Sequence, residues 1–237
     1  MALAPKFAGQ KLSAGGETTK HTLEIYLDYV CPFSAKLFKT LFPLLPRLLT
    51  TPNAPYSHTL QIILRQQIQP WHPSSTLTHE SALAVLTLSP EKFWPYSAAL
   101  FAHQTEFFDA NVVHETRNET YRRLARLAGS VGVDEGGVYE LLAVRGRGEV
   151  GEKGELNGGN GVTGLVKVMT RASRVVGVHV TPTVFFNVSS SPASPPKASL
   201  WQTAVADQNS LKGIEERSIS SSFTKEQWEE WFEKNVV

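Results

Sequence analysis

Leu23, Ile25 and Leu27 alternate with Thr22, Glu24 and Tyr26, the two-residue period of a strand over residues 22–28. Pro32 suits a first helical position, where a missing N–H costs nothing. A helix is expected from there through Leu41 and Phe42, until Pro43 and Pro46 end or kink it. A second strand is predicted over residues 59–66, centred on Ile62, Ile63 and Leu64. The middle of the chain changes period. Residues 78–88 and 91–108 carry Ala, Leu, Phe and Trp at helical spacing. Thr116-Arg117-Asn118-Glu119 reads as a capping box opening a helix through Tyr121, Leu124, Leu127 and Ala128, with a stop near Gly129. Further on, Leu165, Val168, Met169, Ala172, Val175 and Val176 form one apolar stripe, with Lys167, Arg171 and Arg174 opposite and Gly177 as the stop.

The pattern returns to strand at Thr183-Val184-Phe185-Phe186-Asn187-Val188, β-branched and aromatic enough for a central, buried place. One or two more strands are expected between residues 200 and 218. The final helix is announced by a second capping box, Thr224-Lys225-Glu226-Gln227, with Phe223 and Trp228 at the two positions of a hydrophobic staple. Three segments lack such patterns. Residues 1–20 are small and polar and read as a flexible tail. Residues 145–161 hold seven glycines and read as a surface loop. Residues 189–196 are a Ser/Pro connection.

The bulk numbers exclude more than they assign. With 23 basic against 22 acidic residues, nothing favours a nucleic acid or an anionic membrane as partner. No run of about 18 apolar residues is present to span a bilayer. The first 20 residues contain neither an apolar signal core nor an arginine. One cysteine rules out an internal disulfide framework and points to a reducing compartment. The expectation is a cytoplasmic protein.

That one cysteine carries the chemistry. Cys31 opens the tetrad Cys31-Pro32-Phe33-Ser34, where the first strand gives way to the first helix. Free N–H groups and the positive end of the helix dipole favour thiolate at such a place. The frame is that of a C-x-x-C thiol–disulfide motif with a hydroxyl in place of the second thiol. Ser34, one turn along, can donate a hydrogen bond to a thiolate. Thr181-Pro182-Thr183 enters the late strand, and an X-Pro bond there can be cis. A cis bond would turn the Thr181 backbone toward an extended peptide thiol such as glutathione. After the second strand, Trp71 and His72 sit where α/β sites gather, as pocket lining or, for His72, as an acid or base. His103 and Glu106 share a helix face without an identifiable third metal ligand, and no metal is expected. The glycine-rich segment lacks the Lys-Ser/Thr ending of a phosphate loop. Trp228 and Trp231 read as core anchors.

These features together resemble the thioredoxin-fold superfamily, and within it the DsbA-like branch, whose fold is interrupted by a helical domain. Cys31 and Pro182 stand 182 − 31 = 151 residues apart, room for such an insertion. The resemblance implies an α/β, thioredoxin-like domain over residues 21–74 and 178–237, with a helical insertion over 75–177. The same branch includes kappa-class glutathione transferases and 2-hydroxychromene-2-carboxylate isomerases, whose motif is similar to Asp28-Tyr29-Val30-Cys31-Pro32-Phe33-Ser34 but usually has serine where Cys31 stands. Two departures define this chain: Ser34 replaces the resolving cysteine of a dithiol enzyme, and Cys31 replaces the serine of the transferases.

The resemblance implies a thiol oxidoreductase or thiol transferase with Cys31 as nucleophile. No cofactor is expected to be bound, and glutathione is expected as co-substrate. Pro32 and Phe33 would form the rim, and Thr181 would orient the substrate backbone beside Pro182. Two alternatives stand beside this: a kappa-like glutathione transferase or isomerase, and a non-catalytic thioredoxin-fold binding module. Specificity is expected in the insertion, with Phe93, Trp94, Tyr96 and Phe101 either walling the cleft or packing in the insertion's own core.

Overall fold

The computed structural model describes residues 3–14, 19–150, 156–188 and 219–236. Its sheet has four strands in the order β1-β3-β2-β4. These are β1 (Lys11–Leu12), β2 (His21–Leu27), β3 (Leu60–Gln66) and β4 (Thr183–Val188). β2 runs parallel to β3, with Leu23 opposite Ile62 and Ile25 opposite Leu64. On its other side β2 pairs antiparallel with β4, placing Leu23 opposite Phe186 and Ile25 opposite Val184. A strand hemmed in on both edges needs apolar residues on its faces, and Leu23, Ile25 and Leu27 are all fully buried.

The parallel pair requires a crossover. α1 (Pro32–Leu41) supplies it and buries Leu37, Phe38 and Leu41. Pro43 and Pro46 end the α-helix without straightening the chain, which continues through a 3-10 turn at Phe42–Leu44 and a π turn at Pro46–Thr50. Between β3 and β4 the regular elements among the described residues are all helical: α2 (Ser75–Leu88), α3 (Phe93–Ala102), α4 (Asp109–Val112), α5 (Arg117–Ser130), α6 (Glu135–Leu142), α7 (Arg147–Val150) and α8 (Thr163–Val175). The last helix, α9 (Lys225–Asn235), returns to the sheet, where Trp231 meets Phe186 edge-on at 4.8 Å. Trp228 and Phe232 are fully buried, and Phe223 packs on Trp228 at 5.3 Å as the staple predicts.

The fold is α/β, a thioredoxin-like sheet with a helical insertion, as the sequence implies. Several local expectations change. The N-terminal tail is not loose throughout: Pro5–Gln10 forms a 3-10 turn that buries Phe7, and β1 pairs antiparallel with β3. Phe7 gives this polar segment the anchor that its composition hides. The helix expected over 91–108 breaks at His103 into α3 and a 3-10 turn, Gln104–Phe107. α6 was not legible, because Gly136 and Gly137 weaken its first turn; Asp134 caps it by accepting both their N–H groups, each at 3.1 Å. In the glycine-rich stretch α7 forms a short turn. β4 ends the order of the described strands, and the Ile219 N–H donates to Val184 O (3.0 Å) from its outer side. The strands expected between residues 200 and 218 lie outside the described residues. Gly177 ends α8 with φ +72°, a conformation that only glycine adopts freely.

Candidate active site

Cys31 is the N-cap of α1, in extended conformation (φ −83°, ψ 119°), and Pro32 is the first helical residue. The Cys31 thiol is buried and donates to the backbone oxygen of Thr181 at 3.5 Å. The Thr181-Pro182 bond is cis. The two ends of the motif, 150 residues apart, therefore meet across the β2–β4 pair. Thr181 is buried and Pro182 half-buried.

Ser34 takes a different part from the one expected of it. Its side chain is fully buried, and its Oγ accepts from the Asp28 N–H (3.2 Å), bracing the turn that leads into Cys31. Among the described residues no hydrogen bond joins Ser34 to Cys31. The hydroxyl where a second thiol would stand is thus engaged with backbone.

Beneath the turn lies Asp28, fully buried and gathering partners from three segments. Oδ1 accepts the Val30 N–H (3.0 Å), and Oδ2 accepts the Gln69 N–H (3.0 Å) and pairs with His72 Nδ1 (3.2 Å). His79 Nε2 stands 3.7 Å from Oδ1, beyond hydrogen-bond reach but close enough for charge attraction. Burial disfavours ionisation of Asp28. The His79 ring, the Val30 amide and His72 outweigh it and hold the carboxyl below its usual range. Gln66 orients His79 by donating to its backbone oxygen (3.0 Å) and lying 3.1 Å from Nδ1.

A second brace comes from the helical insertion. Gln104 Nε2 donates to the carbonyls of Tyr29 (2.8 Å) and Cys31 (2.9 Å), fixing the backbone on both sides of Val30. The Tyr29 hydroxyl pairs with Ser97 Oγ of α3 at 2.7 Å, and burial pushes its phenol far up. Ser74 Oγ donates to Phe107 O, joining the His72 loop to the same insertion segment.

The rim of the site is apolar and open. Phe33 is 70 % exposed, Trp71 57 % and Val180 48 %, whereas most other large apolar side chains among the described residues are inside. A groove is lined by Val30 and Pro32, the two chain neighbours of Cys31, together with His72, Phe107, Phe108, Asp109 and Ala110. Of the two places expected for the helical aromatics, cleft wall or core, they take the core. Phe93, Trp94, Tyr96 and Phe101 are buried; Phe101 packs on Phe38 (4.7 Å) and Tyr29 (5.1 Å), and Trp94 on Phe42 (6.1 Å). Phe101 thus joins the insertion to α1 and Trp94 to the turn after it, Tyr96 donates to Ser81 Oγ (3.0 Å) and Leu124 O (3.1 Å) inside the insertion, and the groove wall falls to residues 107–110. His103 Nδ1 lies 2.7 Å from Glu106 Oε1 on an exposed surface, and no metal-competent cluster of His, Cys, Asp or Glu occurs among the described residues.

Reasoning from sequence placed Cys31, Thr181, Pro182 and His72 in one region and missed Asp28, His79, Gln104 and Phe107. A carboxylate inside an apolar run three residues before the nucleophile was the available signal for Asp28. Nothing in the sequence marks Gln104.

No protein-family model and no curated protein sequence matches the chain. Solved structures do. A candidate protein-disulfide isomerase from Pseudomonas syringae is 23% identical over 82% of this chain and 97% of its own, with a TM-score of 0.56. MdbA, a thiol-disulfide oxidoreductase from Actinomyces oris, is 16% identical over 86% of this chain and 85% of its own, with a TM-score of 0.54. Oxidised BdbD from Bacillus subtilis is 17% identical over 87% and 95%, with a TM-score of 0.51. Identities this low speak to architecture alone. The chain has the DsbA-like thioredoxin fold, with its lone cysteine at the start of the first crossover helix.

Proposed function

We propose that this protein is a monothiol thiol–disulfide exchange enzyme that uses glutathione as its external thiol. The observation that carries the reading is the pairing of Cys31, at the open start of α1, with Thr181 O beside the cis-Pro182 bond, while Ser34 is turned into the backbone. Helix-start thiols gain thiolate character from the unpaired N–H groups and the dipole. The Cys31 thiolate attacks one sulfur of a disulfide, a mixed disulfide forms, and the other sulfur leaves as thiolate. In a dithiol enzyme the second cysteine would then displace the substrate. Here no second cysteine exists, so an incoming thiol must attack the mixed disulfide and release Cys31. Glutathione suits this step because Thr181 offers backbone groups to an extended peptide, and the rim of Pro32, Phe33 and Trp71 is open to it.

The test is incubation with oxidised glutathione followed by intact-mass measurement. One added glutathione is expected on the wild type and none on Cys31→Ser, with reduced glutathione removing the adduct. A wild type that stays unmodified through prolonged incubation rules the reading out.

A further inference from the structure

We infer that His72 is the general base that deprotonates the incoming thiol in the release step, with Asp28 as its positioning residue. The inference rests on the monothiol reading above, and it follows from what that reading leaves unsupplied. The external thiol arrives as S–H, yet only a thiolate attacks a disulfide efficiently. Near neutral pH most of that thiol is protonated, and a base at the site would raise the share able to attack.

His72 is placed for it. Asp28 is buried and held ionised, so its oxygens can only accept. The 3.2 Å contact therefore places a hydrogen on His72 Nδ1, and in the neutral imidazole the lone pair is then on Nε2. Nε2 has no hydrogen-bond partner among the described residues, and the imidazole is one-quarter exposed, on the wall of the groove that Val30 and Pro32 line. The arrangement is a carboxylate–imidazole pair opening onto a groove that Val30 and Pro32, the chain neighbours of Cys31, also line. The pair is also rigid. The Gln69 N–H on the same Asp28 oxygen holds the loop that bears His72, and the Val30 N–H on the other oxygen holds the turn that bears Cys31. One buried carboxylate thus fixes both the base and the nucleophile.

The step balances without another reactant. The thiol of glutathione gives its proton to His72 Nε2, and the buried carboxylate stabilises the imidazolium that results. The new thiolate attacks the substrate sulfur of the mixed disulfide, a new S–S bond forms, and the electrons of the broken bond leave on Cys31. The imidazolium then returns the proton to the Cys31 thiolate or to water. The charged and titratable groups facing His72 are Asp28 at the end of β2, His79 of α2 behind that carboxylate, and Asp109 of α4 across the groove.

The experiment loads Cys31 with methyl methanethiosulfonate as Cys31–S–S–CH3, so it does not depend on the adduct with oxidised glutathione. Release of Cys31 is timed by mass spectrometry at pH 7 with two thiols: glutathione, mostly protonated there, and 4-nitrothiophenol, already ionised. General-base assistance is typically worth about 10²–10⁴-fold. His72→Gln and His72→Phe, checked for folding by near-ultraviolet circular dichroism, should lose at least about tenfold of the glutathione rate. The loss with 4-nitrothiophenol should be much smaller, and raising the pH should restore the glutathione rate. Equal losses with both thiols would mean that His72 only shapes the groove, and no loss with either would mean it takes no part; each result overturns the inference. An absent adduct with oxidised glutathione in the wild type would count against the preceding reading, not this one.

Discussion

α1 and α9 begin alike and are finished differently. Each follows a residue in extended conformation, Cys31 (ψ 119°) and Thr224 (ψ 173°). The start of α9 is closed by its neighbours in sequence: the Gln227 N–H donates to Thr224 Oγ1 (3.3 Å), and the Thr224 N–H donates back to Gln227 Oε1 (2.8 Å). The N-cap of α1 makes no side-chain cap, and what steadies it comes from afar: Gln104 on its carbonyl, Asp28 under its turn, and Thr181 beside its thiol. A local cap consumes the helix's free N–H groups. Support from other segments leaves them free for a thiolate or a substrate. One start is closed by its own side chains, and the other is left without a side-chain cap.

The comparison breaks most visibly through stability. Trp228→Ala removes the fully buried ring that staples the start of α9 and should cost about 3–5 kcal/mol, read as a lowered denaturant midpoint. In the still-folded variant the alkylation rate of Cys31 should be unchanged. A slowed thiol would show that α9 does support the site.

Asp28→Asn should come next, at about 2 kcal/mol at neutral pH, because charge-assisted bonds to the Val30 and Gln69 amides become neutral ones. The wild type supplies a second readout. The folded carboxyl titrates below its ordinary 3.8, so the unfolded chain takes up the proton first as acid is added. Its contribution is complete above about pH 5 and is lost as pH falls through 3.8 to the lower folded value. Stability of the wild type should therefore converge on that of Asp28→Asn between roughly pH 5 and pH 2. Parallel curves would show that Asp28 is not held ionised by the fold.

The smallest effect belongs to the cap itself. Thr224→Ala should cost about 1 kcal/mol in urea denaturation and leave Cys31 reactivity alone. A loss near zero would mean that the staple alone sets the α9 start.

The contrast also explains which parts of the protein can be read from the chain. Both capping boxes form as the sequence predicts, because their donors and acceptors are three residues apart and need no tertiary partner. β2, β3, the stop at Gly177 and the place of Cys31 at the head of α1 were legible for the same reason: period, φ preference and proline chemistry act over a few residues. The Thr181-Pro182 pairing with Cys31 was legible only through resemblance to a family, since no local rule joins residues 150 apart. Phe93, Trp94, Tyr96 and Phe101 show the limit from the other side. Their helical spacing marks an apolar face but does not say which surface covers it, and tertiary packing decided that they are core: Phe101 lies on Phe38 of α1, whereas Tyr96 bonds to Ser81 and Leu124 of the insertion itself.

By itself, then, the sequence determined β2, β3, β4, α1, α5, α8 and α9, the single thiol and the absence of a second one, because these follow from residue identity and short-range geometry. Tertiary structure alone decided that Ser34 faces backbone, that Gln104 pins the nucleophile's carbonyl, and that Asp28 joins Val30, Gln69 and His72 through one buried carboxylate. A buried polar group must find partners wherever the packed chain brings them, and that requirement names no sequence separation.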